Sequence, residues 1–347
     1  MNERAAQVLH APAPVETKPL ALEPREPDGP GPGELLISVG ACAVCRTDLQ
    51  ICEGELAPHK RPVVPGHQAV GRVEAVGSEV TGWSVGDRAG VGWLASSCEQ
   101  CDYCARGLEN LCPDARFTGW DRDGGYAGWL TARAGFTFHI SSALDDMAAA
   151  PLLCGGVIGY RSLRISGVRP GGRLGLYGFG ASASLTIQVA THEGTDVFVV
   201  TRSAAEQERA KRLGAAWVSG FDERLPAQLD GAITFAPAGD VVVAALRSLA
   251  PGGTVAINAI HLDGIPAFDY DLLWRERALK SVANYTRQDA REFLELAAQI
   301  PIRTEIEVLP LDAANEALGR LKRGQLTGTA VLRPQAVHRP PQEKRAE

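Results

Sequence analysis

The sequence predicts an α/β fold whose centre is a doubly wound, parallel sheet of six strands. Six short apolar segments alternate with helical patterns between about residues 173 and 284, and a glycine-rich turn joins the first segment to a helix. Across the whole chain, 38 glycines and 22 prolines fall between short apolar runs. This spacing is typical of a fold with many tight turns.

The composition is that of a globular protein rather than a disordered one, with 45% hydrophobic and 22% charged residues among 347. The 35 basic and 41 acidic residues give a net charge of -6, which does not favour a nucleic-acid-binding surface. No apolar run approaches the roughly 18–20 residues that span a bilayer, and the amino terminus lacks the apolar stretch of a signal peptide. We expect a cytoplasmic protein with no nucleic-acid or membrane partner, and a flexible polar tail over 334–347.

Four of the eight cysteines lie in one short segment with the spacing C-x2-C-x2-C-x7-C. In an intracellular chain this spacing indicates metal ligands, because two-residue spacers turn neighbouring sulfurs toward a common centre. The ferredoxin run shares these spacers but has three residues before its last cysteine, whereas seven stand here. A closed four-sulfur zinc site is favoured over an iron–sulfur cluster or inert thiols, and its ligands would be Cys98, Cys101, Cys104 and Cys112.

Three further candidate metal ligands are scattered along the chain: Cys45, His67 and Cys154. Each taken singly has an ordinary interpretation as a buried or packing residue. Together they would supply two thiolates and one imidazole and leave a fourth tetrahedral position open, which is the pattern of a catalytic zinc site. Cys42 and Cys52 flank Cys45, and spacing alone does not exclude them from its place.

A dinucleotide-binding turn follows the first strand of the predicted sheet, at about 173–177. The pattern G-x-G-x-x-A lets the chain turn tightly, lets the backbone approach a pyrophosphate, and lets the following helix pack closely on the strand. A glycine-rich turn in another kind of α/β sheet is the alternative. The candidate cofactor-binding residues are Gly178, Phe179, Gly180, Ala181, Ser182 and Ala183.

The end of the second strand indicates which dinucleotide binds. NAD-binding sites usually place a carboxylate there for the adenosine ribose, whereas this chain reads Thr201-Arg202-Ser203, with Asp196 at the opposite end of the strand. Two hydroxyls and a guanidinium suit a 2′-phosphate, so NADP(H) is favoured over NAD(H). The alternative is a solvated arginine with NAD bound less selectively.

With these residues in view, the chain resembles the zinc-dependent alcohol dehydrogenases of the medium-chain dehydrogenase/reductase superfamily over about residues 6–332. The resemblance rests on C-R-T-D at 45–48, P-G-H at 65–67, G-D-R at 86–88, the four-cysteine segment, G-G-Y at 124–126 and P-L-L-C at 151–154. The segment 265–287 is similar to a bacterial subgroup of these enzymes. The family fold implies a mainly β, GroES-like catalytic domain at 1–157 and 288–340, a Rossmann domain at 158–287, and a homodimer or homotetramer.

The resemblance also implies roles for individual residues. Cys45, His67 and Cys154 would bind a catalytic zinc ion and the four-cysteine segment a structural one, giving two zinc ions per chain. Thr47 would take the alcohol proton, unless it only packs in a turn. Asp48 would hold the second ring nitrogen of His67, unless it only caps a helix.

Other implied roles concern the cofactor and the substrate. Arg46 is similar to an arginine that contacts the cofactor pyrophosphate, with a solvated side chain as the alternative. Trp93 and Trp120 lie where family members line the substrate pocket, although ordinary aromatic packing is as good an interpretation. Two indoles would narrow that pocket and favour unbranched primary or flat aromatic substrates. We interpret His261 as a structural residue.

This chain departs from the family pattern at Gln50 and Gln68, where many members carry histidine and glutamate. An amide does not titrate near neutral pH, so Gln50 would not relay protons to solvent. The resemblance implies interconversion of primary alcohols and aldehydes by hydride transfer with NADP(H). The alternatives are a reductase of other carbonyls or activated double bonds, and a non-catalytic NADPH-binding or redox-sensing protein.

Overall fold

Residues 4–259 and 262–334 are described in a computed structural model of the protein. His261 lies outside the described residues, as does the predicted tail apart from Pro334. The chain divides into two compact units. The first contains the described residues up to Ser96, then Arg116–Pro151 and the chain from Glu305 onward, and the second contains Ser97–Ala115 and Leu152–Thr304.

The strands of the described residues are numbered here in chain order. They are β1 (Ala5–Leu9), β2 (Leu20–Pro24), β3 (Glu34–Ala43), β4 (Ala69–Val76), β5 (Arg88–Val91), β6 (Leu94–Ser96), β7 (Arg116–Phe117), β8 (Trp129–Arg133), β9 (Thr137–His139), β10 (Arg173–Tyr177), β11 (Asp196–Val200), β12 (Trp217–Ser219), β13 (Leu229–Thr234), β14 (Leu249–Ile257), β15 (Ala278–Ser281), β16 (Ile306–Pro310) and β17 (Thr329–Arg333). The α-helices are α1 (Arg46–Glu53), α2 (Asp102–Ala105), α3 (Asp146–Ala149), α4 (Gly155–Ser166), α5 (Ala181–His192), α6 (Ala204–Arg212), α7 (Gly239–Arg247), α8 (Arg287–Gln299) and α9 (Ala314–Lys322).

The first unit is mainly β. Its largest sheet has seven strands in the order β16-β17-β3-β4-β5-β9, with β8 paired to β3. Most of these pairs are antiparallel, and β16 runs parallel to β17. Short apolar runs between glycines and prolines give strands that bury most of their side chains, as in β3, where Leu35, Ile37 and Val39 belong to the core. Helix α1 follows directly from the end of β3, and this junction carries the first motif of the candidate site.

The second unit contains the predicted parallel sheet. Its six strands lie in the order β12-β11-β10-β13-β14-β15, and every pair is parallel. The order reverses at β10, since the next strands along the chain lie on one side of it and the later ones on the other. Open sheets of this kind bind ligands beyond the carboxyl ends of the strands at that reversal. The predicted α/β class and six-stranded sheet are confirmed.

The division into units differs from the expected domain boundaries in three places. The four-cysteine segment, residues 152–157 and residues 288–304 belong to the second unit, whereas we had expected them in the catalytic domain. Side-chain contacts explain the assignments of the cysteine segment and of α8. The Glu109 carboxylate of the cysteine segment accepts a hydrogen bond from the backbone N–H of Arg287 at 2.9 Å, and the Phe293 ring on α8 lies 5.9 Å from the Tyr160 ring on α4.

Phe293 provides a test of this packing, because its side chain is fully buried on α8. We expect Phe293→Ala to lower the free energy of unfolding by about 3–5 kcal/mol, the usual cost of removing a buried aromatic ring. Glu295→Ala, on the exposed face of the same helix, is the control and should change it by less than about 0.5 kcal/mol. Urea denaturation measures both, and equal effects would contradict the packing.

Candidate metal centres and cofactor site

The four cysteines of the short segment converge on one point. The Sγ–Sγ distances are 3.5 Å for Cys112 and Cys98, 3.6 Å for Cys101 and Cys104, and 3.9 Å for Cys98 and Cys104. Four thiolates about 2.3 Å from one tetrahedral zinc ion would be separated by about 3.8 Å. The donor set and its spacing therefore fit a single tetrahedral ion.

Backbone N–H groups stabilise the thiolate form of Cys98, which is the form that binds a metal. N–H groups of Gln100 and Cys101 point at the Cys98 sulfur and lower the pKa of that thiol to about 7. The N–H of Cys98 lies 3.4 Å from the Cys112 sulfur in the same way, although burial raises the pKa of Cys112 to about 11. A cation would favour the thiolate form of all four cysteines, since a coordinating thiol is deprotonated.

Asp48 joins three of the sequence motifs at one carboxylate. It accepts hydrogen bonds from the backbone N–H of Cys45 at 2.9 Å, from Nδ1 of His67 at 3.0 Å and from the hydroxyl of Tyr126 at 3.2 Å. The first of these bonds caps α1, so Asp48 both caps the helix and holds the imidazole. With Nδ1 engaged, Nε2 of His67 is the ring nitrogen that could bind a metal.

This carboxylate–imidazole pair is sealed from water, since Asp48, His67 and Tyr126 are each at most 1% exposed. Burial by itself lowers the pKa of His67, but the charge and hydrogen bond of Asp48, with a contribution from Cys45, raise it to about 10. Burial and the same carboxylate raise the pKa of Tyr126, which keeps its hydroxyl a donor. A cation at Nε2 would take the place of the proton that this environment stabilises.

Gly66, in the P-G-H motif, allows the imidazole to reach this position. Its φ is +96°, and a Cβ placed there would lie 2.3 Å from the Tyr126 ring and 2.9 Å from the Cys42 sulfur. Both the left-handed backbone and the close approach of the ring require glycine. The P-G-H and G-G-Y motifs are thus parts of one packing arrangement around Asp48.

Cys45 and His67 lie together in the first unit, where the Cys45 side chain is hydrogen-bonded to the imidazole. The third candidate ligand, Cys154, belongs to the second unit. Cys154 directly precedes α4. Cys42 and Cys52, the alternatives that spacing left open, are completely buried in the core of the first unit, and burial raises the pKa of both thiols well above the usual range. Among the described residues, neither belongs to a group of three or more candidate ligands.

The neighbours of Cys45 on α1 have different surroundings. The Thr47 hydroxyl oxygen is buried and lies 3.8 Å from the Cys45 sulfur, whereas Arg46 is exposed. Gln50 is buried, and its Oε1 has no hydrogen-bond partner within the described part of the chain. Gln68 is buried too, and its amide donates to the Ala43 carbonyl at 3.3 Å.

An aromatic cluster lies beside His67 in the first unit. The Trp93 ring meets the imidazole edge-on at 5.0 Å and stacks against Trp120 at 6.0 Å and Phe117 at 5.1 Å. His59 covers the Trp120 ring at 3.9 Å, and the Trp120 indole N–H donates to a backbone carbonyl at 2.7 Å. Both tryptophans are half-buried against the core, so they pack and also present ring surface close to His67.

The glycine-rich turn joins β10 to α5 at the reversal of the parallel sheet. Gly178 has φ +88°, which the tight turn requires, and a Cβ placed on Gly180 would meet no atom within 4 Å. Gly180 is the N-cap of α5, a helix that continues to His192, and Ala183 is fully buried against the sheet. The open space at Gly180 and the helix amino terminus next to it fit a pyrophosphate.

The end of β11 holds the residues expected at the adenosine ribose. Ser203 caps α6, and its hydroxyl accepts from the Glu206 N–H at 3.3 Å. The Thr201 hydroxyl donates to the Glu206 carboxylate at 2.5 Å, and Arg202 is exposed between the two hydroxyl residues. The residues at the end of β11 include no carboxylate, but Glu206 of α6 places one there.

Sequence reasoning missed four participants: the hydroxyl of Tyr126, the rings of Phe117 and His59, and the Glu206 carboxylate. Tyr126 was visible only as part of a motif. The pattern S-x-x-E over Ser203 and Glu206 predicts the start of a helix. It does not predict that the Glu206 carboxylate lies at the end of β11.

The comparisons with known proteins agree with this architecture. The alcohol dehydrogenase GroES-like domain matches residues 31–142, and the zinc-binding dehydrogenase domain matches residues 181–299. A Mycobacterium tuberculosis protein named "Probable alcohol dehydrogenase AdhA" is 48% identical over 334 residues, covering 94% of this chain and 96% of that protein. The chain belongs to the zinc-binding alcohol dehydrogenase family of the medium-chain dehydrogenase/reductase superfamily.

Solved structures of dehydrogenases share the fold of this family member. A cinnamyl alcohol dehydrogenase of Sorghum bicolor superposes with a TM-score of 0.86 at 27% identity, covering 95% of this chain and 97% of that one. A zinc-binding dehydrogenase of Sinorhizobium meliloti 1021 bound to NADP gives 0.84 at 25% identity, covering 95% and 99%. The expected GroES-like and Rossmann folds are confirmed. In the described ranges, every helix is too short or too polar to cross a bilayer.

The role of Gly66 can be tested against Gly82, which also has positive φ but has no atom within 4 Å of an added Cβ. Gly82→Ala should cost about 1–2 kcal/mol of unfolding free energy from backbone strain alone. Gly66→Ala should cost about 1–3 kcal/mol more, because its methyl group also overlaps the Tyr126 ring. Denaturation curves measure both, and equal costs would contradict the described packing.

Proposed function

We propose that this family member is a zinc-dependent oxidoreductase that interconverts primary alcohols and aldehydes and favours NADP(H) over NAD(H). The observation that carries the proposal is the pair of Cys45 and His67, held in place by Asp48, to which Cys154 would add a second thiolate. Three such donors suit zinc and leave one tetrahedral position for a substrate oxygen. The relatives named alcohol dehydrogenase support the reaction class.

Two zinc ions per chain follow from the two groups of ligands. Cys98, Cys101, Cys104 and Cys112 would hold a structural ion with a closed sulfur shell, since four protein ligands leave no place for substrate. The sulfur separations support one ion rather than an iron–sulfur cluster, in which the thiolates bind different iron atoms. Cys45, His67 and Cys154 would hold the catalytic ion.

When bound, zinc supplies Lewis acidity toward an alcohol or aldehyde oxygen, and the nicotinamide ring accepts or donates the hydride. The protein contributes orientation and proton handling. Asp48 fixes the tautomer and plane of His67 through Nδ1, which leaves Nε2 as the nitrogen that would bind the metal. The buried Thr47 hydroxyl, 3.8 Å from the Cys45 sulfur, is the group that would take the proton of an alcohol or return it to a product.

The aromatic cluster supports a preference for narrow or flat substrates. Trp93 and Trp120 present nearly parallel ring surfaces next to His67. Trp120 is held in place by stacking on His59 and by the hydrogen bond from its indole N–H to a backbone carbonyl. Rings so fixed would exclude water and branched chains and would accept unbranched or aromatic primary alcohols.

The cofactor preference rests on Arg202, the exposed cation at the end of β11, and on the NADP bound to the related S. meliloti dehydrogenase. Gly178, Gly180 and the amino terminus of α5 would receive the pyrophosphate, with Arg46 as a further cation. A cytoplasmic location and assembly as a homodimer or homotetramer stay predictions from the sequence.

The proposal is tested by NADPH and NADH oxidation with short, branched and aromatic aldehydes, using protein of measured zinc content. We expect zinc-dependent turnover, faster with NADPH and with unbranched or aromatic aldehydes. Faster turnover with NADH than with NADPH would support the proposed reaction but contradict the preference for NADP(H). Loss of all turnover in protein holding two zinc ions would reject the enzyme and favour a non-catalytic NADPH-binding or redox-sensing protein.

Asp48→Asn tests the metal assignment. The amide keeps the shape of the side chain but loses the charge that orients His67, so affinity at the catalytic site should fall by about 10–100-fold. Zinc in the four-cysteine site should be unaffected, which gives an internal reference in chelator titrations. Asp145→Asn, which alters a helix cap at α3, is the control and should retain both ions. Equal retention in both variants would contradict the role of Asp48.

Gln50→His tests the absence of a titrating relay. The wild-type kcat should show no ionisation near pH 6.5, the ordinary histidine value, because an amide stands at this buried position. The variant should gain such an ionisation and turn over faster above it, measured as a pH profile of kcat. An unchanged kcat and an unchanged pH profile in the variant would contradict the interpretation that a histidine at position 50 relays protons.

A further inference from the structure

The carboxylate of Glu206 stands at the end of β11, where a dinucleotide-binding sheet meets the adenosine ribose. Glu206 is the third residue of α6, and its side chain reaches back past the helix start to Thr201. Thr201 is the first residue after β11 and is 4% exposed, so the bond between its hydroxyl and Glu206 is largely shielded from water.

Neighbouring contacts hold this part of α6 against the glycine-rich turn. Gln207 donates from its amide to the Thr201 carbonyl at 2.8 Å. Arg209 donates to the carbonyl of Phe179 and lies 5.4 Å from the centre of its ring. Residues three apart share one face of a helix, so Glu206 and Arg209 both point toward the strand ends and the turn.

From these contacts we propose that Glu206 is a second residue that determines cofactor selectivity, acting against Arg202, so that the chain binds both NAD(H) and NADP(H). This inference rests on the proposed function, because it concerns the same dinucleotide site. Arg202 attracts the 2′-phosphate of NADP(H), whereas Glu206 repels it. A ribose 2′-hydroxyl can instead donate to the carboxylate, which favours NAD(H).

The bond between Thr201 and Glu206 strengthens this opposition. A hydroxyl has one proton, and that of Thr201 is directed at the carboxylate. To donate to a 2′-phosphate, Thr201 would have to give up a bond to a charged acceptor. Of the groups expected to favour NADP(H), Thr201 is therefore engaged with Glu206, Ser203 caps α6, and Arg202 is left as the main attraction.

Glu206→Gln is the decisive variant, with Glu208→Gln as a matched control. Both changes remove one negative charge from α6, but Glu208 lies on the exposed surface, 2.7 Å from Lys211. Calorimetry on the zinc-loaded protein would give the dissociation constants of NAD⁺ and NADP⁺ without reference to turnover. At about 0.15 M salt, charges beyond about 8 Å are largely screened, which limits effects from the control position.

We expect Glu206→Gln to raise the preference for NADP⁺ over NAD⁺ by about tenfold, the size of one charged hydrogen bond gained or lost. Glu208→Gln should change it by less than about twofold. Glu206→Ala gives a second test, because loss of the charge alone should move the preference in the same direction. A preference that stays constant or falls in the Glu206 variants, or that rises equally in the control, overturns the inference.

These outcomes are separable from failure of the proposed function. If the wild-type protein binds neither dinucleotide, the proposed function falls and this inference falls with it. If it binds both and the Glu206 variants leave their ratio unchanged, only the role of Glu206 is rejected. Glu206 is thus tested on a protein whose cofactor binding has already been measured.

Discussion

The buried carboxylate of Asp48 is the constraint on which the positions of two candidate metal ligands, Cys45 and His67, depend. Burying a charge without partners is costly, and Asp48 meets this cost with three donors, from Cys45, His67 and Tyr126. Each donor comes from a different sequence motif. The requirement to satisfy one carboxylate therefore fixes the start of α1, the plane of the imidazole and the position of the tyrosine together.

A similar arrangement ties the four-cysteine segment to the rest of the second unit. Glu109 accepts from both the backbone and the guanidinium of Arg287, and Asn110 donates to the Ala283 carbonyl at 2.6 Å. Burial raises the pKa of Glu109, but hydrogen bonds from its own backbone and from Arg287, together with the charge of Arg287, outweigh burial and keep the pKa below its ordinary value. An ion in the cysteine segment would therefore brace the start of α8 as well as its own loop.

The cofactor site illustrates how neighbouring charges can oppose each other. The exposed guanidinium of Arg202 and the carboxylate of Glu206 stand at the same strand end, with the Thr201 hydroxyl bound to the acid. Selectivity between two cofactors that differ by one phosphate depends on the difference between such interactions, because both cofactors share every other contact. Arg202, the cation predicted from the sequence, accounts for only one of the two opposing interactions, and Glu206 accounts for the other.

The sequence by itself determined the elements whose causes are local. Alternating apolar segments predicted the six parallel strands, the first of them at its observed bounds, and cysteine spacing singled out the four sulfurs that converge. A resemblance to a known family added the roles of residues that lie far apart in the chain. Local patterns suffice here because strand period, turn chemistry and ligand spacing are properties of short stretches.

Only the tertiary structure decided between alternatives that the sequence left open. Cys42 and Cys52 flank Cys45 in the sequence, but both are completely buried in the apolar core. Tyr126 is hydrogen-bonded to Asp48, 78 positions away, and Glu206 to Thr201, 5 positions away. No sequence-spacing rule predicts either pair. Such choices depend on which side chains packing brings together and which polar groups burial obliges to find a partner, and both are set by the whole fold.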